Sequence, residues 1–400
     1  MNTTQLFQFR LNGLETFIRN VNNDTTIINL QKYFTPWELC RQMLEQLPKY
    51  VNLPESNILT FNIEYVTMLV DVFNVPPSKI TFVTDCHPKA KFAREYLRFK
   101  GLTIYEGDYL SSENKLMKFD VIVGNPPYQT KSDADNRKTQ AIWDKFVQKS
   151  FELCKDGGYV CLVHPSGWRD VKGMFEETKE LLQSKDIKYL ELHNEADGLT
   201  TFGAETRYDW YVSQNRPCCS DTTVKGQDGM IIKSNISKLP FIPNGMFEKI
   251  KDLIATGNDK RVTIINNSSY HHQRHKDGEW MSKEKTSKYK YPCIYSIDFK
   301  GNPKFWWSST NKRGHFDIPK VIFASGRISS ANYIIDNRGE YAMTEFATGI
   351  VDEPKNLSKI KDAMLTSEFK NLMEMCAFRY DLNKNIISTF KRDFWKEFVK

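Results

Sequence analysis

The chain predicts an α/β fold: a doubly wound, mostly parallel sheet in its N-terminal part, followed by an α+β domain. Three observations carry this. Short apolar, β-branched runs at 57–61, 79–84, 119–123, 159–163 and 208–212 have the length of buried strands, and stretches between them place apolar residues at helical spacing. The 400 residues suffice for two domains. Composition shifts near 215–229, where P-C-C-S-D-T-T and then G-Q-D-G read as a linker. The domains are placed at 1–220 and 226–400.

Residues 1–30 are polar with one short apolar segment, too few to hold a nuclease domain. Thr35 then caps a helix with Pro36 at its first position, and Leu39, Met43, Leu44 and Leu47 follow at helical spacing. Asn57–Phe61 is the first central strand. It runs into Asn62-Ile63-Glu64-Tyr65, and no glycine occurs between Gly13 and Gly101. Lys79–Thr84 is a strand ending at Asp85, with Pro88 and a helix over Lys89–Phe99 behind it. An acidic residue there is where nucleoside-binding α/β folds hold a ribose diol. Thr103–Tyr105 is a short strand leading to Glu106-Gly107-Asp108-Tyr109. Ala141–Leu153 has helical spacing through Ile142, Phe146 and Phe151. Asp156-Gly157-Gly158 turns the chain into the strand Tyr159–Val163, which ends at His164-Pro165-Ser166-Gly167-Trp168. Thr201-Phe202-Gly203-Ala204-Glu205-Thr206 precedes the strand Tyr208–Val212. Neither His164 nor His193 receives a role.

Val121–Tyr128, V-I-V-G-N-P-P-Y, is the stretch that points to chemistry. A buried strand stops at Gly124, and two prolines remove two backbone donors and fix two φ angles. Carbonyls in that turn are left to accept hydrogen bonds from something else. The exocyclic N6 amine of adenine is a poor nucleophile because its lone pair is delocalised into the ring. Two acceptors, the Asn125 side-chain oxygen and the Pro126 carbonyl, would take its two hydrogens and return the lone pair to nitrogen for attack on a methyl group. Tyr128 would stack on the base, which must leave the duplex to reach it.

Phe119–Tyr128 resembles motif IV of the amino-group DNA methyltransferases, in the N6-adenine class whose cofactor motif X lies N-terminal. The likeness covers roughly residues 33–215 and implies a Rossmann-like methyltransferase domain using S-adenosylmethionine. It implies catalytic roles for Asn125, Pro126, Pro127 and Tyr128. Tyr33, Thr35 and Pro36 resemble motif X, where a helix N-terminus meets the cofactor carboxylate. Asp85 stands three before Pro88, as in motif II. Asp108 and Tyr109 resemble motif III, an acid for the cofactor's adenine amine and an aromatic on its ring. The segment at Phe202 is similar to motif VIII, which sets Phe202 across the flipped base from Tyr128. The glycine turn of motif I is missing, so Asn62 and Glu64 are expected to supply polar contacts to the cofactor instead, with Asn125 also at its edge. No metal is called for.

Charge separates the two parts. Residues 226–400 hold 29 Lys and Arg against 20 Asp and Glu, and the rest 27 against 29. A basic domain beside a near-neutral one suits a polyanion-binding module. Tyr270–Tyr291 is rich in His, Lys and aromatics, with His271, His272 and His275 lacking Cys or carboxylate at zinc spacing. Trp306-Trp307 and Arg327 follow. Basic residues interleaved with aromatics suit phosphate contacts and base stacking, and the resemblance makes this region a target-recognition domain for double-stranded DNA, with a cognate restriction endonuclease as a further partner. Eight cysteines without a C-x-x-C pair, no apolar run of membrane length and no signal-peptide layout suit a reduced, cytoplasmic protein of bacterial or phage origin. Two other readings stay open: a non-catalytic DNA-binding derivative that has lost the cofactor, motivated by the missing glycines, and methylation of an RNA or protein amine.

Overall fold

The computed structural model describes residues 5–6, 8–10, 12–13, 34–111, 118–130, 140–266, 280–298, 300–324, 331–344, 346–378 and 384–399. The chain divides into two compact units, one of Met1–Arg169 and Gly173–Leu239, the other of Asp170–Lys172 and Pro240–Lys400.

The first unit runs α1 (Trp37–Glu45), β1 (Ile58–Thr60), α2 (Ile63–Asp71), β2 (Ile80–Thr84), α3 (His87–Phe92), β3 (Thr103–Glu106), β4 (Phe119–Gly124), α4 (Trp143–Leu153), β5 (Cys154–Pro165), α5 (Glu176–Ser184), β6 (Lys185–His193), α6 (Glu195–Phe202), β7 (Tyr208–Pro217), β8 (Thr222–Lys225) and β9 (Ile231–Ser234). The nine strands form one sheet in the order β3-β2-β1-β4-β5-β7-β6-β8-β9. From β3 to β5 every pairing is parallel, and β7 is antiparallel to both β5 and β6. The order reverses between β1 and β4, so the crevice beyond their carboxyl ends is the topological switch point, the place where open α/β sheets hold ligands. The doubly wound architecture expected from sequence is the one found.

β1 is buried throughout and β4 at every residue but Asp120, as a parallel sheet covered on both faces requires. On one face Leu39, Met43 and Leu44 of α1 and Ile63, Val66 and Leu69 of α2 pack with Ile58, Val121, Val123, Cys161 and Val163. Each such side chain contributes roughly 1.5–3 kcal/mol on leaving water. Side chains alternate along a strand, so His164 faces the other side, where Trp143 of α4 stacks on it. The polar Asp120 within β4 accepts from the Asn57 amide at 2.9 Å and from Lys155 at 2.7 Å, which ties β4 to its two neighbours at their entry.

Several boundaries differ from the sequence reading. Thr35 does not cap the first helix; Pro36 stands at the N-cap and Thr35 is drawn inward by Glu64. The Lys89–Phe99 helix is α3 continuing into one wide π turn over Ala93–Leu97, ended by Arg98 at φ 51°. Asp156-Gly157-Gly158 lies inside β5 as a bulge. Gly157 has φ 78°, and a Cβ on Gly158 would stand 2.8 Å from the Asp120 carbonyl. The segment expected to be a linker is sheet: β7 extends to Pro217 and β8 and β9 pair as a hairpin. The unit boundary therefore falls at Leu239 and not near residue 220, because the hydrogen bonds of 222–234 belong to the first sheet.

The second unit runs α7 (Phe247–Leu253), β10 (Thr263–Asn266), β11 (Met281–Ser282), β12 (Tyr291–Ile297), β13 (Pro303–Ser308), β14 (Lys320–Ala324), β15 (Tyr333–Asp336), β16 (Ala342–Met343), β17 (Ala347–Val351), α8 (Pro354–Leu365), α9 (Ser367–Cys376) and α10 (Lys384–Ile387). It holds two four-stranded sheets, β10-β17-β14-β15 and β11-β13-β12-β16, with Ile294, Ile322, Met343 and Ala347 packed in one core cluster. No described helix is long and apolar enough to cross a membrane.

Candidate active site at the sheet switch point

Asn125 follows β4 directly, at the carboxyl end of the strand beside β1. It is 8% exposed, and its side-chain Oδ1 is buried with no hydrogen-bond partner. A buried acceptor without a donor costs about 1–3 kcal/mol, and such an atom at a crevice marks a place for a ligand donor. The next two residues have no N–H. The Pro126 carbonyl receives no hydrogen bond from the described residues. The turn therefore offers unpartnered acceptors on two successive residues.

The backbone of Asn125 is held from across the crevice. Its N–H donates to Asn62 Oδ1 at 2.6 Å, and its carbonyl accepts from Asn62 Nδ2 at 3.0 Å. The side chain of Asn62, expected from sequence to touch a cofactor, is thus committed to the opposite strand end. Close approach is secured by Gly124, where a Cβ would stand 2.5 Å from Phe61 Cε2 and 2.8 Å from Asn62 Oδ1. Asn62 itself has φ −128° and ψ 132°, ordinary extended values, and leads straight into α2. The turn after β1 needs no left-handed residue, which is why it tolerates the lack of glycine.

Glu64, in the first turn of α2, is fully buried. Its Oε1 accepts from both the backbone N–H and the hydroxyl of Thr35 at 3.1 Å, while Oε2 is buried without a partner. Burial raises its carboxyl above the usual range, opposed by Lys89 and the Thr35 bonds. Pro36 follows at the N-cap of α1. Thr35, Pro36, Asn62, Glu64 and Asn125 are thus linked into one crevice wall, though 29 and 63 positions separate the bonded pairs. Tyr33 lies outside the described residues. Asp85 is exposed at the end of β2. Asp108 is exposed after β3, its Oδ1 accepting from the Leu110 amide at 3.0 Å.

Two aromatics are placed otherwise than expected. Tyr109 is 4% exposed; it stacks on Phe146 at 4.9 Å, meets Phe61 edge-on at 5.1 Å and shares a 2.9 Å hydrogen bond with Ser150. Its ring is packed in the core against Phe146 and Phe61. Phe202, last in α6, is 6% exposed and packs edge-on against Tyr208 in the main core. The exposed glycine turn read around it is instead the helix C-cap, with Gly203 at φ 68°.

Tyr128 is half-buried, and its hydroxyl is buried without a partner. Burial pushes its pKa up, and Tyr208 and Asp209 lie near enough to add to the shift. The Tyr128 carbonyl accepts a hydrogen bond from the Ile142 N–H at 3.2 Å. Sequence reasoning gave no place to the groups behind this loop. Asp209 of β7 is fully buried and accepts from Arg169 Nε at 2.7 Å and Trp168 Nε1 at 3.0 Å. His164 is fully buried between Trp143 and Tyr211, its Nδ1 3.0 Å from the Pro165 carbonyl and its Nε2 without a partner. Burial lowers its pKa to about 4, so it is neutral at physiological pH. The signal was present in T-R-Y-D-W-Y, where a charged residue interrupts a strand.

The second unit carries a different surface. Lys283 lies over Trp306, Lys285 over Trp307, Lys288 over Tyr289, Lys290 over Tyr291 and Arg313 over Trp280, all at 4.8–5.5 Å from the ring centres. This is a set of cation–π pairs along β11–β13. His271, His272, His275 and Arg327 lie outside the described residues. Among the described residues no group of three or more His, Cys, Asp or Glu side chains could hold a metal.

Residues 74–197 match the family model described as Eco57I restriction-modification methylase. An uncharacterized adenine-specific methylase of Mycoplasma pneumoniae is 32% identical over 106 residues, which is 26% of this chain and 24% of the relative. The chain thus matches about a quarter of that relative's length. Among solved structures, a modification subunit of a putative type I restriction enzyme from Vibrio vulnificus aligns over 56% of this chain and 53% of its own, at 16% identity and TM-score 0.40. The EcoKI M protein of a type I restriction enzyme aligns over 56% and 59%, at 15% identity and TM-score 0.36. Those scores add nothing to what the sheet order already shows. The matched stretch holds Asp85, Asp108, Asn125–Tyr128 and His164, and over it the likeness to the N6-adenine DNA methyltransferases read from the sequence stands.

Proposed function

We propose that the chain is a DNA adenine-N6 methyltransferase that uses S-adenosylmethionine and acts on a base turned out of the duplex. The observation that carries this is the buried, partnerless Oδ1 of Asn125 beside the Pro126 carbonyl. The two would accept the two hydrogens of one exocyclic amine, drawing the nitrogen toward tetrahedral geometry and localising its lone pair. The half-buried ring of Tyr128 stacks on the base.

The residues fit the cofactor. Glu64 keeps one buried carboxylate oxygen without a donor, a match for an ammonium, and Thr35 and Pro36 precede the N-terminus of α1. Asp85, exposed at the end of β2, suits a ribose diol, and Asp108 an adenine amine. S-adenosylmethionine, when bound, supplies an electrophilic methyl group. The chain positions the amine, removes it from water and accepts its hydrogens; after transfer one of those protons leaves to water. Catalysis by orientation of this kind requires no covalent enzyme intermediate. The ordinary backbone of the Asn62 turn removes the motive for the non-catalytic reading, since a glycine-free turn is no defect there.

The basic aromatic face of the second unit is the surface for duplex DNA, with the Lys and Arg groups meeting phosphates. Restriction-modification, with a cognate endonuclease, is the setting this activity suits. The test is transfer of labelled methyl from S-adenosylmethionine to mixed-sequence duplex DNA. Label recovered as N6-methyladenine, and lost with Asn125→Ala, is expected. Label appearing only on RNA or protein, or persisting in the variant, overturns the reading.

A further inference from the structure

Asn62 lies on the turn after β1, half-buried, and is the N-cap residue of α2. Its side chain does not cap that helix. It reaches the other side of the switch point and bonds both backbone groups of Asn125, as acceptor at 2.6 Å and donor at 3.0 Å. The amide orientation is settled by its partners, since an N–H can only meet the oxygen and a carbonyl only the NH2. The consequence is chemical as well as mechanical. Asn125 has the single backbone N–H of Asn125-Pro126-Pro127, and Asn62 occupies it. Asn62 also occupies the Asn125 carbonyl, so the acceptors left for an incoming amine are Asn125 Oδ1 and the carbonyls of the prolines.

We propose that Asn62 is a positioning residue for methyl transfer: by holding the Asn125 peptide at both ends it fixes where the two amine acceptors stand, and it does so from the turn that borders the cofactor crevice. This rests on the proposed activity. It differs from the sequence expectation, under which Asn62 would touch the cofactor and its loss would weaken cofactor binding.

The two roles separate in kinetics. Asn62→Gly restores the small residue common to the resembled family and removes the clamp. It is expected to lower kcat by about 10²-fold, the effect of misplacing reacting groups by an ångström, while KM for S-adenosylmethionine stays within about twofold. Asn62→Asp supplies a readout that a merely structural role would not move. An ionised carboxylate still accepts from the Asn125 N–H but repels its carbonyl; a protonated carboxyl has one oxygen to accept and one O–H to donate, and reproduces the amide. Relative to the unaltered chain, kcat of Asn62→Asp is therefore expected to recover by about tenfold or more as pH falls from about 8.5 to about 5.5, the range over which a crowded carboxyl gains its proton. Amide hydrogen exchange at Asn125 in the unaltered chain, expected to be slow, reports the clamp without any substitution.

Transfer by the unaltered chain together with full kcat in Asn62→Gly overturns this inference and leaves the activity standing. A raised KM for S-adenosylmethionine at unchanged kcat overturns it too and assigns Asn62 to the cofactor. A flat pH ratio for Asn62→Asp, or fast exchange at Asn125, also counts against it. Absence of transfer by the unaltered chain removes the activity itself, and this inference with it.

Discussion

Gly124→Ala should cost both stability and activity, and the reason is space. Gly124 carries no left-handed φ, so its backbone accommodates alanine. The new Cβ would stand 2.5 and 2.8 Å from Phe61 ring carbons and 2.8 Å from Asn62 Oδ1. Phe61 has nowhere to move: Tyr109 and Phe146 meet it edge-on at 5.1 and 5.3 Å, and both are buried. Asn62 can retreat only by giving up Asn125. Overpacking of this sort costs about 1–3 kcal/mol, and a lost backbone hydrogen bond adds about 0.5–1.5 kcal/mol. The sum, about 1.5–4.5 kcal/mol, lowers the melting temperature of a unit this size by about 3–18 °C. Gly157→Ala is the internal comparison. No atom lies within 4 Å of its Cβ, but its φ is 78°, so the cost is the about 1–2 kcal/mol of a left-handed alanine. Scanning calorimetry of both variants, with methyl transfer below the melting range, gives the test. Gly157→Ala should keep full transfer and Gly124→Ala lose most of it. A Gly124→Ala protein melting within about 2 °C of the unaltered chain, with transfer intact, would refute the close-approach argument and weaken the case for the Asn62 clamp.

Glu64→Gln should change the pH dependence of stability. Burial raises the Glu64 pKa above its ordinary 4.5, so its contribution is fully present below 4.5 and is lost as pH rises through the folded value. The variant, which keeps the acceptor for Thr35, should gain on the unaltered chain as pH rises, as read from urea midpoints; a constant difference would show that burial does not raise the Glu64 pKa. His164 has the opposite sign. Its pKa falls from 6.5 to about 4, so stability is lost as pH drops from 6.5 toward 4, by about 3 kcal/mol in all. His164→Gln should flatten that limb in acid titration. In the second unit, Lys285→Ala should reduce the slope of log affinity for duplex DNA against log salt by about 0.9, whereas Trp307→Ala should weaken binding without changing the slope. Equal slopes in all three proteins would remove Lys285 from the phosphate contacts.

What the sequence disclosed, and what it hid, follows from the range of each interaction. Asn125–Tyr128 was legible because its chemistry is local: two prolines delete donors whatever surrounds them. The central parallel strands were legible because burial on both faces leaves short apolar, β-branched runs, broken in β4 by Asp120 alone. Tyr109 and Phe202 were misplaced because a motif fixes where an aromatic occurs along the chain and not which way its ring turns; Phe146, 37 positions on, captured one, and Tyr208 the other. Thr35 was read as a cap, its commonest local use, but Glu64 competes for it from 29 residues away. The strand β8 was hidden in a stretch of Gly, Asp, Thr and Ser that composition alone assigns to a loop.

The missing glycines carry the strongest lesson. A glycine turn after the first strand is read as a requirement for two backbones to come close. Closeness is a property of the pair, however, and one missing Cβ serves wherever it sits. Here the gap is on β4, at Gly124, and the residue facing it is free to be an asparagine. With that exchange the turn gains a side chain that glycine cannot supply, and the chain uses it to grip the peptide that holds the acceptors. On this view Gly124 and Asn62 form one device. Moving the glycine back, with Asn62→Gly and Gly124→Ala together, should not rescue activity: the new Cβ would still press on Phe61, and no amide would remain to hold Asn125.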